Sequence, residues 1–206
     1  MTRLSRADSQ RRTRRALVRT ARELFLRDGY FATSLERVAE TAGYSKGAVY
    51  SNFAGKDELC LAVIDLVVSE RARELVLALT TAADTAARLA AAQHWVDEVT
   101  ADHGWITLEV EFASQVRGNP RLRSALAERA AARRASLATA LTAAAAAMRT
   151  TLPAPADDLA AALISAGLGL ALQRAVDPGL DVRPVFDAFA ALAGTLADGG
   201  ATALPA

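Results

Sequence analysis

A short stretch, residues 41–59, gathers side chains suited to binding anions and polar edges. It reads TAGYSKGAVYSNFAGKDEL and contains both lysines of the chain, Lys46 and Lys56. Ser45 and Lys46 fall where a helix would begin, and free N–H groups and the helix dipole favour a phosphate at such a position. Further hydrogen-bond donors for phosphates or base edges follow about one turn later: Tyr50, Ser51 and Asn52.

Glycines and caps divide this region into two short helices. Thr33 stands three residues before Glu36, a capping-box spacing, and predicts the start of a helix of about two turns that ends at Ala42. Gly43 permits a sharp turn, and Ser45 can cap the next helix. The spacing therefore predicts a helix, a tight turn and a second helix.

A longer helix precedes this pair. Residues 9–28 carry Leu17, Ala21, Leu24 and Phe25 on one stripe, and Gly29 follows as a cap. Three helices in this order predict a tri-helical helix-turn-helix unit whose last helix enters a DNA groove. Gly47 and Ala48 keep the front of that helix narrow. The predicted DNA contacts are Thr33, Ser34, Ser45, Lys46, Gly47, Ala48, Tyr50, Ser51, Asn52 and Lys56.

Charge is distributed unevenly along the chain. The overall net charge is +1, but residues 1–56 hold twelve basic and five acidic side chains, a net charge of +7, and the remainder carries −6. Such asymmetry predicts an N-terminal polyanion-binding unit joined to a part that does not bind polyanions. A solvated basic arm is the alternative explanation of the charge alone.

Composition predicts an all-α protein of about nine helices. Of the 206 residues, 52% are hydrophobic and only 5% aromatic, and alanine is abundant, which favours packed helices over strands. The single cysteine, Cys60, excludes an internal disulfide and is expected to be a buried small residue. We find neither a signal peptide nor a long uncharged apolar run, and so expect a soluble cytoplasmic protein without a membrane partner.

The rest of the chain predicts a second helical domain. We expect residues 1–54 to form the helix-turn-helix domain and residues 55–206 a ligand-binding and dimerisation bundle. Aromatic and polar side chains on the central helices are typical of a pocket between helices. The candidate ligand-binding residues are Trp95, Trp105, Leu108, Glu109, Phe112, Gln115 and Met148.

Two C-terminal helices, about 156–175 and 182–198, predict a subunit interface. Each carries an apolar stripe at helical spacing, and two such helices from each subunit would form an isologous four-helix bundle. The predicted interface residues are Leu159, Leu163, Gly167, Leu170, Arg174, Val185, Phe189 and Leu192.

A metal site is the strongest rival hypothesis. His94 and Glu98 are one turn apart, with Asp102 and His103 after them, so a metal-responsive regulator could use this region. We expect no resident metal or other cofactor. An enzyme is not indicated either, because no nucleophile with a recognisable base occurs in a known motif.

The segment GYFATSLERVAETAGYSKGAVYSNFAGKDELCLAVI, residues 29–64, closely resembles the N-terminal domain of the TetR family of bacterial transcriptional regulators. One departure is Asn52, where many family members have His. The resemblance implies a homodimer that binds a palindromic double-stranded DNA operator and represses until a small-molecule effector binds the C-terminal domain. It also implies that the helix at 55–79 connects the two domains and carries the switch.

Overall fold

The computed structural model describes residues 5–147, 149, 151–185 and 188, and every regular element in those residues is helical. The all-α class is therefore confirmed. The predicted helix at 182–198 begins at residue 183, and most of it lies outside the described residues. The helices are α1 (Arg6–Asp28), α2 (Leu35–Ala42), α3 (Lys46–Tyr50), α4 (Lys56–Thr81), α5 (Thr85–Ala101), α6 (His103–Val116), α7 (Pro120–Ala147) and α8 (Ala156–Val176).

Helix α1 begins and ends at local signals in its sequence. Ser5 caps its first turn by accepting a hydrogen bond from the Asp8 backbone N–H. Gly29 ends it with a φ of 85°, which only glycine adopts readily, and donates its N–H to the Phe25 carbonyl. The predicted apolar stripe is buried: Leu17, Ala21, Leu24 and Phe25.

The chain forms two compact units. The first unit comprises the residues up to Glu74 together with Asp102–Ala127, and the second comprises Leu75–Ala101 with the residues from Glu128 onward. Helices α4 and α7 each contribute residues to both. The first unit thus extends beyond the predicted domain 1–54, whose boundary stays a prediction.

The first unit has a core of large side chains. Helix α1 contacts α2, α3 and α6, and α2 contacts α3. Phe25, Phe53 and Phe112 are fully buried there together with leucines and valines from α1 to α4 and α6. Burying this many large apolar side chains is the main stabilising contribution to a domain of this size.

The second unit is built around the packing of α5 against α8. Its contact includes small residues, since Ala160 and Ala171 of α8 are buried. Arg174 of α8 donates to the Asp97 carboxylate at 2.7 Å and to the Thr100 hydroxyl at 3.0 Å, both on α5. These bonds fix one face of α8 against α5.

Among the described residues, α8 is the most apolar of the long helices. By length and composition alone it could cross a membrane, with a mean hydropathy of 1.6 over an 18-residue window of which 17% is buried. Charged residues lie at its ends, Asp157 and Asp158 in the first turn and Arg174 in the last. The uncharged run between them, residues 159–173, is shorter than the roughly 20 residues of a membrane span.

Candidate DNA-binding surface

The turn between α2 and α3 has the geometry that the glycine predicted. Gly43 adopts a left-handed conformation, with φ 72° and ψ 28°, and its N–H donates to carbonyls at the end of α2. The Tyr44 N–H donates to the Ala39 carbonyl at 2.9 Å, which closes the turn. Ser45 then caps α3 by accepting from the Ala48 N–H at 3.2 Å. The predicted turn and the predicted cap are both present.

Helix α3 is short and held from beneath. It has five residues, and a helix of that length is unstable unless it packs on a core. Val49 is fully buried and Phe53, just after the helix, is 2% exposed, so these two side chains anchor it. The opposite face carries Tyr50, which is 56% exposed. The helix thus packs one face on the core and leaves another free to enter a major groove, as a recognition helix does.

Most of the predicted contact residues share this exposed face. Ser45, Lys46, Gly47, Tyr50 and Ser51 are exposed, and Ala48 and Asn52 are half-buried. Lys46 forms an ion pair with Glu36 of α2 at 3.2 Å. A phosphate would have to replace Glu36 as the partner of Lys46, or add to it.

Two polar groups at the end of α3 are used within the helix. The Ser51 hydroxyl donates to the Ala48 carbonyl at 3.0 Å, and the Asn52 side-chain amide donates to the same carbonyl at 2.8 Å. The Asn52 Oδ1 atom is buried and has no hydrogen-bond partner among the described residues. Asn52 therefore stabilises the end of α3, and its contact with DNA stays a prediction.

The predicted helix start at Thr33 is wrong by one residue. Ser34 is the N-cap of α2 and accepts from the Arg37 N–H, whereas Thr33 is 1% exposed. The Thr33 hydroxyl donates to the Gly29 carbonyl at 2.9 Å and faces the interior. By residue type, either Thr33 or Ser34 could cap α2. Because Thr33 is buried, the cap is Ser34. Thr33 is therefore removed from the set of DNA contacts, and the exposed Ser34 stays in it.

Lys56 lies in the first turn of α4, and its ammonium group already has partners within the chain. Its ammonium lies 4.2 Å from the centre of the Tyr30 ring and donates to the Phe31 carbonyl at 3.3 Å. Partial burial lowers its pKa from the ordinary value, and nearby acidic groups oppose that effect. The Tyr30 hydroxyl donates to Asp57. Burial and then this hydrogen bond raise the pKa of Tyr30, so the hydroxyl stays protonated.

The arginines of α1 supply the positive surface. Asp8, Arg11, Arg12, Arg15, Ala16 and Arg19 line an open groove along the helix. Arg11 pairs with Asp8 and its side chain is still 66% exposed. Such a stripe of arginines adds a long-range, salt-sensitive attraction to a polyanion.

One important residue was missed by the sequence patterns. Glu111 of α6 accepts from the backbone N–H groups of Tyr30 at 2.6 Å and Phe31 at 3.3 Å, in the turn between α1 and α2. A Cβ atom on Gly29 would lie 2.7 Å from this carboxylate, so glycine also leaves the space for it. Glu111 and Tyr30 are about eighty residues apart in sequence, and no residue near Glu111 in sequence indicates the contact.

The predicted ligand-binding residues are divided between the two units. Trp105, Leu108 and Phe112 are buried in the core of the first unit, so they pack as core side chains. In the same unit Glu109 is half-buried and Gln115 is exposed. Trp95 is half-buried and belongs to the second unit, and Met148 lies outside the described residues.

The residues of the predicted subunit interface differ in their exposure. Leu170 is 7% exposed and buried within the chain, and the side chain of the half-buried Arg174 is 14% exposed because it is bound to α5. Leu163 is 39% exposed, while Leu159, Gly167 and Val185 are half-buried. Phe189 and Leu192 lie outside the described residues. Three further apolar side chains of α8 are exposed and were not in the predicted set: Leu168, Leu172 and Val176.

The metal hypothesis has no support from the described residues. No group of three or more His, Cys, Asp or Glu side chains in them could hold a metal ion. His94 and Glu98 are paired at 3.5 Å and are 73% and 66% exposed. Helix α5 ends at Ala101, and Asp102 instead caps α6 and pairs with Arg71. Asp102 and His103 therefore do not continue the face of α5 that carries His94 and Glu98.

Cys60 has the structural role expected of it. The residue is 0% exposed in the core of the first unit. Burial raises the pKa of its thiol, so the reactive thiolate is disfavoured.

Comparison with known proteins agrees with the geometry of the first unit. Residues 17–63 match the family model for bacterial regulatory proteins of the tetR family. The transcriptional activator FasR of Mycolicibacterium smegmatis is 38% identical over 76 residues, which are 37% of this chain and 35% of FasR. The repressor AcnR of Corynebacterium diphtheriae is 28% identical over 120 residues, 54% of each chain. The chain thus spans between a third and about half of these relatives' lengths.

Solved structures share the fold over most of the chain. A transcriptional regulator from Rhodococcus sp. RHA1 superposes with a TM-score of 0.72 at 20% identity, covering 89% of this chain and 95% of that one. The reduced form of Escherichia coli NemR superposes with a TM-score of 0.61 at 21% identity, covering 86% and 94% of the two chains. At these identities the likeness is one of fold.

The first unit, with a buried anchor below α3 and polar groups above it, defines a helix-turn-helix protein of the DNA-binding class. The family match is narrower: residues 17–63 are similar to the bacterial regulatory proteins of the tetR family. Members of this family are transcriptional regulators and not enzymes.

Proposed function

We propose that the protein is a cytoplasmic homodimeric repressor that binds a palindromic operator and is released by a small-molecule effector. The observation that carries this proposal is the construction of α3. Its buried side, Val49, fixes the helix on a core of large side chains, and its outer side presents Tyr50. The +7 charge of residues 1–56 supplies the attraction to the phosphate backbone.

The exposed side of α8 supports the dimer. Leu168, Leu172 and Val176 are 42%, 51% and 85% exposed and follow one another at intervals of one turn. A helix with so apolar a composition and so little burial needs a partner surface, and a second copy of α8 offers the same apolar face about a two-fold axis. This pairing also explains an apolar helix without a membrane.

The dimer would convert two weak contacts into specific recognition. Two α3 helices must meet successive major grooves about 34–36 Å apart, so the operator's symmetry mirrors that of the dimer. An effector that favours a dimer with a different spacing then releases the DNA. It can shift the equilibrium only by its difference in affinity for the two states.

Helix α6 is where we propose that the effector acts. The helix packs on α1 and holds the turn before α2 through Glu111. Glu109 and Gln115 of α6 and Trp95 of α5 remain candidate effector contacts, and α4 remains the candidate connecting helix. An effector contact on α6 would be transmitted to α1 and to the turn before α2 through packed side chains and the Glu111 bonds.

The length of the sequence match to one repressor favours repression over activation. The similarity to the repressor AcnR covers 120 residues, beyond the DNA-binding segment, whereas that to the activator FasR covers 76. A reporter gene placed behind the operator tests the sign. Lower expression with the protein present supports repression, and higher expression overturns it.

The experiment that tests DNA binding uses a duplex enriched by the protein from a random library and a scrambled duplex of equal length. Fluorescence anisotropy at two salt concentrations is expected to show tight, salt-sensitive binding to the enriched duplex. Tyr50→Ala should lower that affinity, whereas Val110→Ala should not, because Val110 is a comparably exposed side chain on α6. Failure to enrich any sequence, or equal binding of both duplexes, would overturn the proposal.

A further inference from the structure

Arg14 differs from the other arginines near it on α1. Arg11, Arg12, Arg15 and Arg19 are exposed, but Arg14 is directed toward the end of α3. Its guanidinium carbon lies 4.0 Å from the centre of the Phe53 ring, and its Nη1 donates to the Asn52 carbonyl. An arginine in this position combines stacking on an aromatic face with a charge-assisted hydrogen bond to the backbone.

A second helix holds the same segment. Glu58 of α4 accepts from the Ala54 N–H at 2.8 Å through Oε2, and its Oε1 lies 3.5 Å from Arg14 Nη2. The side chains of Arg14 and Glu58 are 42% and 46% exposed, so the ion pair itself contributes little. The bonds to backbone groups on either side of Phe53 are what fix the segment.

This segment ends the helix that faces DNA. The start of α3 is held by the Ser45 cap and its middle by Val49. At its end the Ser51 and Asn52 side chains donate to the Ala48 carbonyl, which stabilises the last turn from within but does not tie it to another helix. Arg14 therefore supplies the outside contact that sets the direction of the last turn, where Tyr50 lies.

We propose that Arg14 is a positioning residue for α3 and that its charge does not neutralise a DNA phosphate. The inference rests on the proposed function of DNA binding. A phosphate contact would weaken binding to every sequence and reduce the salt dependence by about one counterion. A positioning residue would weaken binding to the operator and leave scrambled DNA unaffected.

Three variants separate these roles. Arg14→Met removes the charge but keeps an apolar cover over Phe53, and Arg15→Met is the matched control, since it removes the same charge from the exposed neighbour. Arg14→Lys keeps the charge but lacks the planar fork that stacks and donates at once. Thermal unfolding followed by circular dichroism verifies that each variant is folded.

The anisotropy titrations compare the enriched and scrambled duplexes at several salt concentrations. We expect Arg14→Met to lower affinity for the enriched duplex by about ten-fold and leave the salt slope and the scrambled affinity unchanged. Arg14→Lys should not restore the enriched affinity. If Arg14→Lys binds as the unmodified protein does, or if Arg14→Met weakens both duplexes and reduces the salt slope, the inference is wrong.

Hydrogen exchange tests the same inference without DNA. The Ser51, Asn52 and Phe53 amides donate to carbonyls within α3, at 2.9–3.0 Å. Arg14→Met should make these amides exchange about ten-fold faster than in Arg15→Met, with the amides of α1 unchanged. Equal exchange in the two variants would refute the positioning role, whereas failure to enrich DNA would refute only the proposed function.

Discussion

The two units bury different kinds of side chain. The first unit encloses Phe25, Phe53 and Phe112 in one core, whereas the fully or nearly buried residues of the second unit are mostly alanines, such as Ala160 and Ala171, among those described. The second unit also leaves a row of leucines exposed on α8. The difference indicates that the first unit has enough apolar contact to hold α3 in place, and it supports the proposal that the second unit gains part of its stability from another subunit.

The largest effect should come from the core of the first unit. Phe112→Ala is expected to lower the free energy of unfolding by about 3–5 kcal/mol, because it opens a cavity at a fully buried position. Leu172→Ala, at a 51% exposed position of α8, should cost much less at concentrations where the protein is monomeric. Denaturant unfolding measures both, and equal losses would contradict the contrast between the units.

The next effect concerns the exposed face of α8. The double variant Leu168→Glu, Leu172→Glu is expected to weaken dimerisation by about 100-fold or more, because it places charge in an apolar interface. Analytical ultracentrifugation measures the dimer, and circular dichroism verifies the fold. Leu170→Glu is not a suitable variant, since Leu170 is buried within the chain and its loss would unfold the second unit. A dimer that survives the double substitution would place the interface elsewhere.

A third prediction tests whether α6 belongs to the first unit's core. Gly104→Ala would place a Cβ atom 2.1 Å from the Leu26 carbonyl oxygen, a backbone atom that cannot rotate away. We expect a loss of about 1–3 kcal/mol in the free energy of unfolding. Gly118→Ala is the control, because nothing lies within 4 Å of its added Cβ. If the two variants are equally stable, α6 does not pack closely on α1 in solution.

The smallest effect should come from the Glu111 contact. Glu111→Gln removes the charge that strengthens its two hydrogen bonds to the turn after α1, and we expect a loss of about 1 kcal/mol. Glu40→Gln, at an exposed position of α2, serves as the comparison. Thermal unfolding of both variants measures the difference, and an unchanged transition in Glu111→Gln would mean that the contact contributes nothing.

Local signals made much of the first unit predictable. The stripe on α1, the left-handed Gly43 and the Ser45 cap depend on residues within a few positions of one another, and the structure confirms each. The start of α2 was misplaced because Thr33 and Ser34 both fit the cap, and only tertiary burial separates them. Local patterns thus determine where helices begin and turn, but not which of two similar residues faces inward.

Long-range contacts were not predictable from spacing. Arg174 fitted an interface stripe, but it pairs with Asp97, 77 residues earlier. Trp105 and Phe112 were predicted to line a pocket because aromatic side chains are typical of one. They are instead buried in the core of the first unit. In each case the residue type was consistent with two environments, and the packing of one helix on another decided between them.

The most direct test of a dimer that reads two grooves is a change in half-site spacing. Anisotropy titrations would compare the enriched palindrome with the same duplex carrying an insertion of about five base pairs, half a turn, at its centre. The insertion is expected to lower affinity by about 100-fold or more, because only one α3 can then engage its groove. Equal affinity for the two duplexes would contradict a dimer that reads two grooves, since it would show that each subunit binds DNA independently.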